Sequence, residues 1–199
     1  LTIMRKNKYW ETIYFDGFAG SGTRKSNNTS ELYHQINILE FEERVYKGAA
    51  ERVLTLPNQL SFDYHYFIDT NEESLGKLKR KLSDLQINRN QFQYRSGDCN
   101  VILNELSKTL NINKNKYAAL VLIDPFGMQI DWESISNLKG TRTDIWILVP
   151  TGVIVNRLLD RNGILKSSVK LQSFFGLPEE EIRKHFYETV TYTTLFGET

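Results

Sequence analysis

The stretch Tyr14–Gly22, YFDGFAGSG, decides the fold of this chain. It begins within the apolar run Ile13–Phe15, which predicts the end of a buried strand, and continues through Asp16 and Gly17 into a glycine-rich loop. Glycines have no Cβ and let a backbone approach a ligand closely, so a strand that runs into such a loop is typical of nucleotide-binding sheets. The stretch therefore predicts an α/β sheet with a nucleotide-like ligand at its edge.

The rest of the chain repeats the same unit of strand, loop and helix. The later predicted strands are Phe62–Ile68, Phe92–Arg95, Ala118–Ile123 and Asp144–Val149, and the predicted helices are Gly48–Leu56, Glu72–Leu85, Val101–Leu110 and Trp132–Leu138, followed by a helical region from Gly152 to Tyr187. This alternation predicts an α/β, Rossmann-like fold with an open, mostly parallel sheet and helices on both faces. The polar connection 24–47 is long for such a fold and predicts a lid or hairpin near the ligand.

Composition narrows the class of protein. The chain has 199 residues, a net charge of +1 and 40% hydrophobic residues, which predicts one globular domain over residues 1–199. No apolar run is long enough to cross a bilayer, so we expect no membrane contact and a cytoplasmic location. The lone Cys99 excludes an internal disulfide and a multi-cysteine zinc site, and the three histidines lie in unrelated segments, so we expect no metal. A first residue other than Met is compatible with a fragment of a longer protein.

Four predicted strands end in an acidic residue. Asp16, Asp69, Asp98 and Asp124 each come at or just after the end of a predicted strand. Because the carboxyl ends of parallel strands meet at one edge of a sheet, these carboxylates predict a shared binding site. The alternative is that each one is a turn or cap residue, which is a common position for aspartate.

One interpretation of the loop is a nucleoside triphosphate site. The motif G-x-x-x-x-G-K-[ST] needs a lysine directly after its last glycine, so that the lysine opens a helix and reaches the outer phosphates. Gly17 and Gly22 have the required spacing, but Thr23 follows them, and Lys25 and Ser26 come two positions late. This shift disfavours a nucleotide triphosphatase.

The other interpretation is a site for S-adenosylmethionine, which carries no phosphate. Gly20 and Gly22 allow the backbone to approach the sulfonium and the amino-acid part of the cofactor. Asp16 is predicted to accept a hydrogen bond from the ammonium group, Asp69 from the ribose hydroxyls and Asp98 from the adenine amine. The full predicted cofactor-binding set is Asp16, Phe18, Gly20, Ser21, Gly22, Asp69, Thr70, Asp98 and Cys99.

These motifs resemble those of the class I methyltransferases, whose first motif has the form of FDGFAGSG. More narrowly, the series YFDGFAGSG, FIDTNEES, SGDCNVIL, LIDPFGMQIDW and LVPTGVIVNRLL is similar to the three-Cys-motif partner family. Those are bacterial methyltransferase-like proteins encoded beside a radical-SAM-like protein. The resemblance implies S-adenosyl-L-methionine as cofactor and such a protein as partner. It also implies a winged-helix segment after the domain, which we expect to be missing from a chain that stops at Thr199.

The sequence DPFG, Asp124 to Gly127, predicts the chemistry. It resembles the [DNS]-P-P-[YF] motif of methyltransferases that act on exocyclic amines of bases, and even more the DPFG of tRNA guanine dimethyltransferases. An aryl amine is a poor nucleophile because its lone pair is delocalised into the ring. Hydrogen bonds from the amine to the Asp124 carboxylate and the Pro125 carbonyl would draw the nitrogen toward a tetrahedral shape, while Phe126 stacks on the base. The predicted substrate is therefore DNA or RNA; the structural alternative is a tight turn after a buried strand.

Several assignments stay open from the sequence. The chain is either an enzyme or a non-catalytic partner that keeps the fold and serves an assembly with the radical-SAM-like protein. Met128, Gln129 and Trp132 are candidates for lining the target pocket, with core packing as the alternative for Trp132. Thr151 and Asn156 border the site or cap a helix. The basic face of the helix 72–85 is solvated or contacts nucleic acid; its members are Lys77, Lys79, Arg80 and Lys81.

Overall fold

The computed structural model describes residues 4–6, 9–22, 48–57, 60–83, 85, 92–149, 158–159, 164–187, 193–194 and 197–198. The strands are β1 (Glu11–Asp16), β2 (Tyr64–Asp69), β3 (Phe92–Ser96), β4 (Tyr117–Ile123), β5 (Thr143–Ile147), β6 (Thr193–Thr194) and β7 (Gly197–Glu198). The helices are α1 (Ala49–Leu54), α2 (Glu72–Ser83), α3 (Cys99–Ile112), α4 (Trp132–Ser136), α5 (Ser168–Phe175) and α6 (Glu179–Phe186), with a 3-10 turn at Met4–Lys6. They fall into two compact units: Leu1–Asp124 with Asn137–Leu148, and Pro125–Ser136 with Val149–Thr199.

The first unit is built on a five-stranded sheet in the order β3-β2-β1-β4-β5, and all of its pairings are parallel. In this register Asp16, the last residue of β1, pairs with Phe67 of β2 and with Leu122 of β4. The chain moves outward from β1 through β2 to β3 and then crosses to β4, so the strand order reverses between β1 and β4. The predicted α/β fold with a parallel sheet is confirmed, and the strand order is compatible with a Rossmann-like fold.

Helices cover both faces of this sheet, as predicted. On one face, α1 and α2 form a buried cluster with the strands, made of Tyr14, Ala50, Val53, Leu54, Phe62, Phe67, Leu75, Leu78 and Leu82. On the other face, Ile13 and Phe15 of β1 face Ile102 and Leu106 of α3 across a cavity of about 230 Å³. Because side chains alternate along a strand, the short strand β1 contributes to both layers.

Two boundaries differ from the predicted ones for local reasons. β2 begins at Tyr64 rather than Phe62, because the Asp63 carboxylate accepts hydrogen bonds from the N–H (2.6 Å) and the hydroxyl (2.7 Å) of Thr12. α3 begins at Cys99 rather than Val101, because the Asp98 side chain caps the helix.

The predicted helical region from 152 to 187 contains two helices in its described part, and residues 152–157 and 160–163 lie outside the described residues. In the second unit, α5 and α6 are separate helices, and Gly176 between them has a left-handed backbone with φ of +64°. Pro178 then forms the N-cap of α6, where a residue without an N–H is tolerated. The core of this unit is Leu165, Leu171 and Ile182. Among the described helices of either unit, none is long and apolar enough to span a membrane.

Candidate functional site

The glycine loop after β1 is tied to the strands on both sides of β1. The N–H of Gly17 donates to the carbonyl of Leu122 in β4 at 2.9 Å, and the N–H of Ala19 donates to the carbonyl of Ile68 in β2 at 2.8 Å. The loop therefore crosses the carboxyl end of β1 with its backbone held by both neighbouring strands, which is where an open parallel sheet places its ligand.

Two carboxylates hold the other N–H groups of the loop. Phe18 donates to Asp16 at 3.3 Å, and Gly20 donates to Asp69 at 2.9 Å. The second oxygen of Asp69 accepts from the N–H of Asn71 at 2.7 Å. Consequently the N–H groups of four consecutive residues, 17 to 20, have acceptors within the protein. A phosphate cradle needs such groups to be free for the ligand.

Two loop glycines are required by the backbone itself. Gly20 and Gly22 have φ of +60° and +66°, in the left-handed region that favours glycine. At Gly22 a Cβ would also lie 2.7 Å from Cδ1 of Leu78 in α2. Their role in approaching a cofactor stays a prediction.

Asp16 is the buried carboxylate of the site, with only 3% of its surface exposed. Burial, with smaller contributions from the charges of Asp124 and Asp69, raises the pKa of Asp16 to about 7. The hydrogen bonds from Phe18 and from the Tyr14 hydroxyl, the latter at 3.4 Å, act in the opposite direction. Since the charges of Asp124 and Asp69 both act on Asp16, the structure brings these three predicted carboxylates together at one edge.

The third strand brings Asp98 and Cys99 to the same edge. One oxygen of Asp98 accepts hydrogen bonds from the N–H of Asn100 (2.7 Å) and Val101 (3.4 Å), so Asp98 has the cap role that is the alternative interpretation. The Cys99 thiol is buried. Burial is the main cause that raises its pKa to about 12, and the charges of Asp98 and Asp16 are a smaller one. This thiol stays protonated at neutral pH and is a poor nucleophile.

The remaining predicted cofactor residues lie on the loop and at the end of β2. Ser21 is half-buried between the two left-handed glycines, and Thr70 is exposed directly after Asp69. The hydroxyl of Ser96, the last residue of β3, donates to the carbonyl of Thr70 at 3.5 Å. Every member of the predicted cofactor set thus lies at or just beyond the carboxyl ends of β1, β2 and β3.

The predicted catalytic residues stand where the first unit ends and the second begins. Asp124 follows β4 and is exposed, as the last residue of the first unit before Asn137. Pro125 is buried and opens the second unit, and Phe126 is 83% exposed. Pro125 thus lies between an exposed carboxylate and an exposed ring, and the catalytic role of these three residues stays a prediction.

The structure describes only some of the residues that the sequence placed beside the proposed site. Thr151, Asn156 and the connection 24–47 lie outside the described residues. Met128 packs against the core of the second unit, and the Trp132 ring packs directly over Gly176. Trp132 thus makes a packing contact while 46% of its surface is exposed, so it is not a core residue.

Lys81 is a residue whose position sequence reasoning missed. Its ammonium donates to the carbonyl of Gly22 at 2.6 Å and pairs with Glu51 at 3.1 Å, whereas Lys77 pairs with Glu73 on the same helix. The available signal was its spacing: Lys81 lies three residues after the buried Leu78 and therefore on the inner side of α2.

Among the residues that the structure describes, no group of three or more histidine, cysteine, aspartate or glutamate side chains is placed to hold a metal ion.

No family model matches the chain, and no curated protein matches it. The chain is similar to the crystal structure of protein LPL1258 from Legionella pneumophila str. Philadelphia 1, family-model DUF519. The identity is 16% and the TM-score 0.46, over 73% of this chain and 64% of that one, so function has to be argued from the site.

Proposed function

We propose that this chain is an S-adenosylmethionine-dependent methyltransferase of the class I fold that acts on an exocyclic amine of a nucleic-acid base. One observation carries the proposal. At the switch point of a parallel sheet, a glycine loop runs beside a buried carboxylate, Asp16, whose pKa is raised by burial and by the charges of two neighbouring strand ends.

The electrostatics favour a cationic ligand over an anionic one. A positive group beside Asp16 would stabilise its ionised form, which burial and the charges of Asp69 and Asp124 oppose. S-adenosylmethionine carries a sulfonium and an ammonium group and no phosphate. A polyphosphate would meet carboxylates together with loop N–H groups that already have acceptors, and this weighs against a triphosphatase.

Each strand end has a part in holding such a cofactor. Asp16 would accept from the ammonium group, and Asp69, whose two oxygens each have one backbone donor, retains lone pairs for the ribose hydroxyls. The Asp98 oxygen that does not cap α3 would accept from the adenine amine. When bound, the cofactor supplies an electrophilic methyl group.

Asp124, Pro125 and Phe126 would hold the target amine. The exposed Asp124 carboxylate and the Pro125 carbonyl would accept its two N–H groups and draw the nitrogen out of conjugation with the ring. The exposed Phe126 ring offers a face on which a base can stack, which contributes about 1–3 kcal/mol per base. A base within a duplex would have to be flipped out of the helix.

The test separates binding from transfer. Calorimetric titration of S-adenosylmethionine should show binding to the wild type and weaker binding to Asp98→Ala. A labelled-methyl assay with mixed DNA and RNA should show transfer by the wild type and none by Asp124→Ala. Asp144→Ala is the matched control, because Asp144 is also an exposed aspartate but lies within β5 and not at its carboxyl end.

Two outcomes would replace the proposal. Binding of ATP with magnesium and no binding of S-adenosylmethionine would favour the triphosphatase. Cofactor binding without transfer to any nucleic acid, and without an effect of Asp124→Ala, would favour the non-catalytic partner of a radical-SAM-like protein.

A further inference from the structure

Lys81 joins three separate segments of the first unit. Its ammonium donates to the carbonyl of Gly22 at 2.6 Å, at the end of the glycine loop, and pairs with Glu51 of α1 at 3.1 Å. Both side chains are shielded from solvent, with 30% of Lys81 and 17% of Glu51 exposed. A charge-assisted bond in such surroundings is stronger than one on an open surface.

The backbone around Gly22 leaves little room for another arrangement. Leu78, one turn before Lys81, lies so close that a Cβ at Gly22 would come within 2.7 Å of it. A Cβ at Gly48, the N-cap of α1, would lie 3.3 Å from the Cα and carbonyl oxygen of Gly22. Gly22 is therefore enclosed between α1 and α2, and Lys81 supplies the polar contact for its carbonyl.

This contact completes the anchoring of the loop. At its start, the loop donates N–H groups to the strands and to Asp69. At its end, the Gly22 carbonyl accepts from Lys81. α2 follows β2 directly, so the end of the loop is held by the same strand–helix unit that provides Asp69.

We propose that Lys81 is a positioning residue that fixes the glycine loop in the form needed for cofactor binding, through its bond to the Gly22 carbonyl and its ion pair with Glu51. It acts through the loop and not on the reacting atoms. The part that concerns S-adenosylmethionine rests on the proposed function, whereas the part that concerns the loop does not.

The test measures the loop first, without any ligand. Hydrogen exchange should be followed at the amides of Ala19 and Gly20, whose acceptors are Ile68 and Asp69. Lys81→Met keeps the aliphatic stem and should accelerate exchange at these amides about tenfold, while exchange in β4 stays unchanged. Lys81→Arg, which retains the charge and the donor, should restore slow exchange. Lys77→Met, which breaks only the exposed pair with Glu73, is the control and should leave the loop unchanged.

The same variants are then titrated with S-adenosylmethionine. The dissociation constant should rise about tenfold in Lys81→Met and change less than about threefold in Lys81→Arg and Lys77→Met. If the wild type does not bind the cofactor, the proposed function fails, but the exchange result still decides the role of Lys81. Equal loop exchange in Lys81→Met and Lys77→Met, or acceleration spread evenly over the sheet, would overturn the positioning role.

Glu51→Gln covers the case in which Lys81→Met does not fold. It removes only the ion pair and should loosen the loop in the same direction by a smaller factor. An unfolded Lys81→Met together with wild-type loop exchange in Glu51→Gln would also overturn the proposal, because Lys81 would then serve general stability alone.

Discussion

Two buried titratable side chains on one face of the sheet differ in their surroundings. Asp16 ends β1 with 3% exposure, and His65 lies within β2 with 4%. Asp16 accepts hydrogen bonds from Phe18 and Tyr14, whereas neither nitrogen of His65 has a hydrogen-bond partner among the described residues. The His65 ring instead lies among the rings of Tyr14, Phe62, Phe67 and Phe92, at centroid distances of 5.1 to 6.3 Å.

Burial disfavours the charge on both groups, so the pKa of Asp16 rises to about 7 and the pKa of His65 falls to about 4. What separates them is position along the strand. At the carboxyl end, Asp16 lies beside the charges of Asp69 and Asp124, while His65 lies within the strand among aromatic rings. Burial of a polar group therefore does not by itself mark a site, and the proposed role of Asp16 rests on its place at the strand end.

The largest effect is expected from Asp16→Asn. The pKa of Asp16 is raised from 3.8 to about 7, so ionisation of this carboxyl costs the folded protein up to roughly 4 kcal/mol above pH 7. The contribution of Asp16 to the free energy of unfolding is therefore fully present at low pH and is lost as the pH rises to about 7. The neutral amide should therefore stabilise the ligand-free protein at pH 8 by about 2–4 kcal/mol. It should also weaken S-adenosylmethionine binding about 10- to 100-fold. Chemical denaturation and calorimetry measure the two effects.

The control for this variant is Asp144→Asn, at an exposed position of β5, which should change neither quantity. The stability gain of Asp16→Asn should disappear near pH 4, where the wild-type carboxyl is protonated as well. A variant that is less stable than the wild type at pH 8, or that binds the cofactor equally well, would refute the assigned role of Asp16.

His65→Phe tests the other region and has the opposite pH dependence. His65 stays neutral in the fold down to about pH 4, but it is protonated below about pH 6.5 in the unfolded chain, so wild-type stability falls between these values as the pH is lowered. Phenylalanine removes this loss, and the variant should gain about 3 kcal/mol over the wild type at pH 4 and much less at pH 7. Unfolding curves at both pH values measure the gain. The control is His185→Gln, at an exposed position of α6, which should not reproduce this gain. A difference in stability between His65→Phe and the wild type that is the same at both pH values would contradict the burial of a neutral imidazole.

Much of this architecture could be predicted because the sequence signals are local. The loop glycines and the aspartates at the strand ends mark the sheet edge without any knowledge of distant contacts. The bond of Asp69 to Gly20 and that of Lys81 to Gly22 join residues 49 and 59 positions apart, and no local pattern contains them. The helical character of the region up to Tyr187 was predicted without a boundary between α5 and α6, which the structure places at Gly176 and Pro178.

Gly17→Ala sharpens the comparison at the point where the loop meets α3. A Cβ at Gly17 would lie 2.5 Å from Sγ of Cys99 and 3.1 Å from Cδ1 of Ile123, so the buried thiol would have to move. The variant should lose about 2 kcal/mol of unfolding free energy, and Cys99→Ala in the same chain should recover most of it. Gly76→Ala is the control: it lies in α2 with no atom near the added Cβ and should stabilise the protein by up to about 1 kcal/mol. If the losses of the two single variants simply add in the double variant, the thiol of Cys99 is not what restricts a Cβ at position 17.

Tyr14→Phe is expected to have the smallest effect, and it addresses the residue that touches both regions. The Tyr14 hydroxyl donates to Asp16 at 3.4 Å, a long bond, while its ring contacts His65. This donor lowers the pKa of Asp16, so its removal should raise that pKa slightly and move the pH dependence of cofactor binding upward. At pH 7 the affinity for S-adenosylmethionine should fall about twofold, and at pH 8.5 the difference should close. Tyr66→Phe, which removes a hydroxyl on the opposite face of β2, should leave the pH profile of calorimetric binding unchanged. A loss of affinity that is equal at all pH values would show that Tyr14 acts through packing and not through the protonation of Asp16.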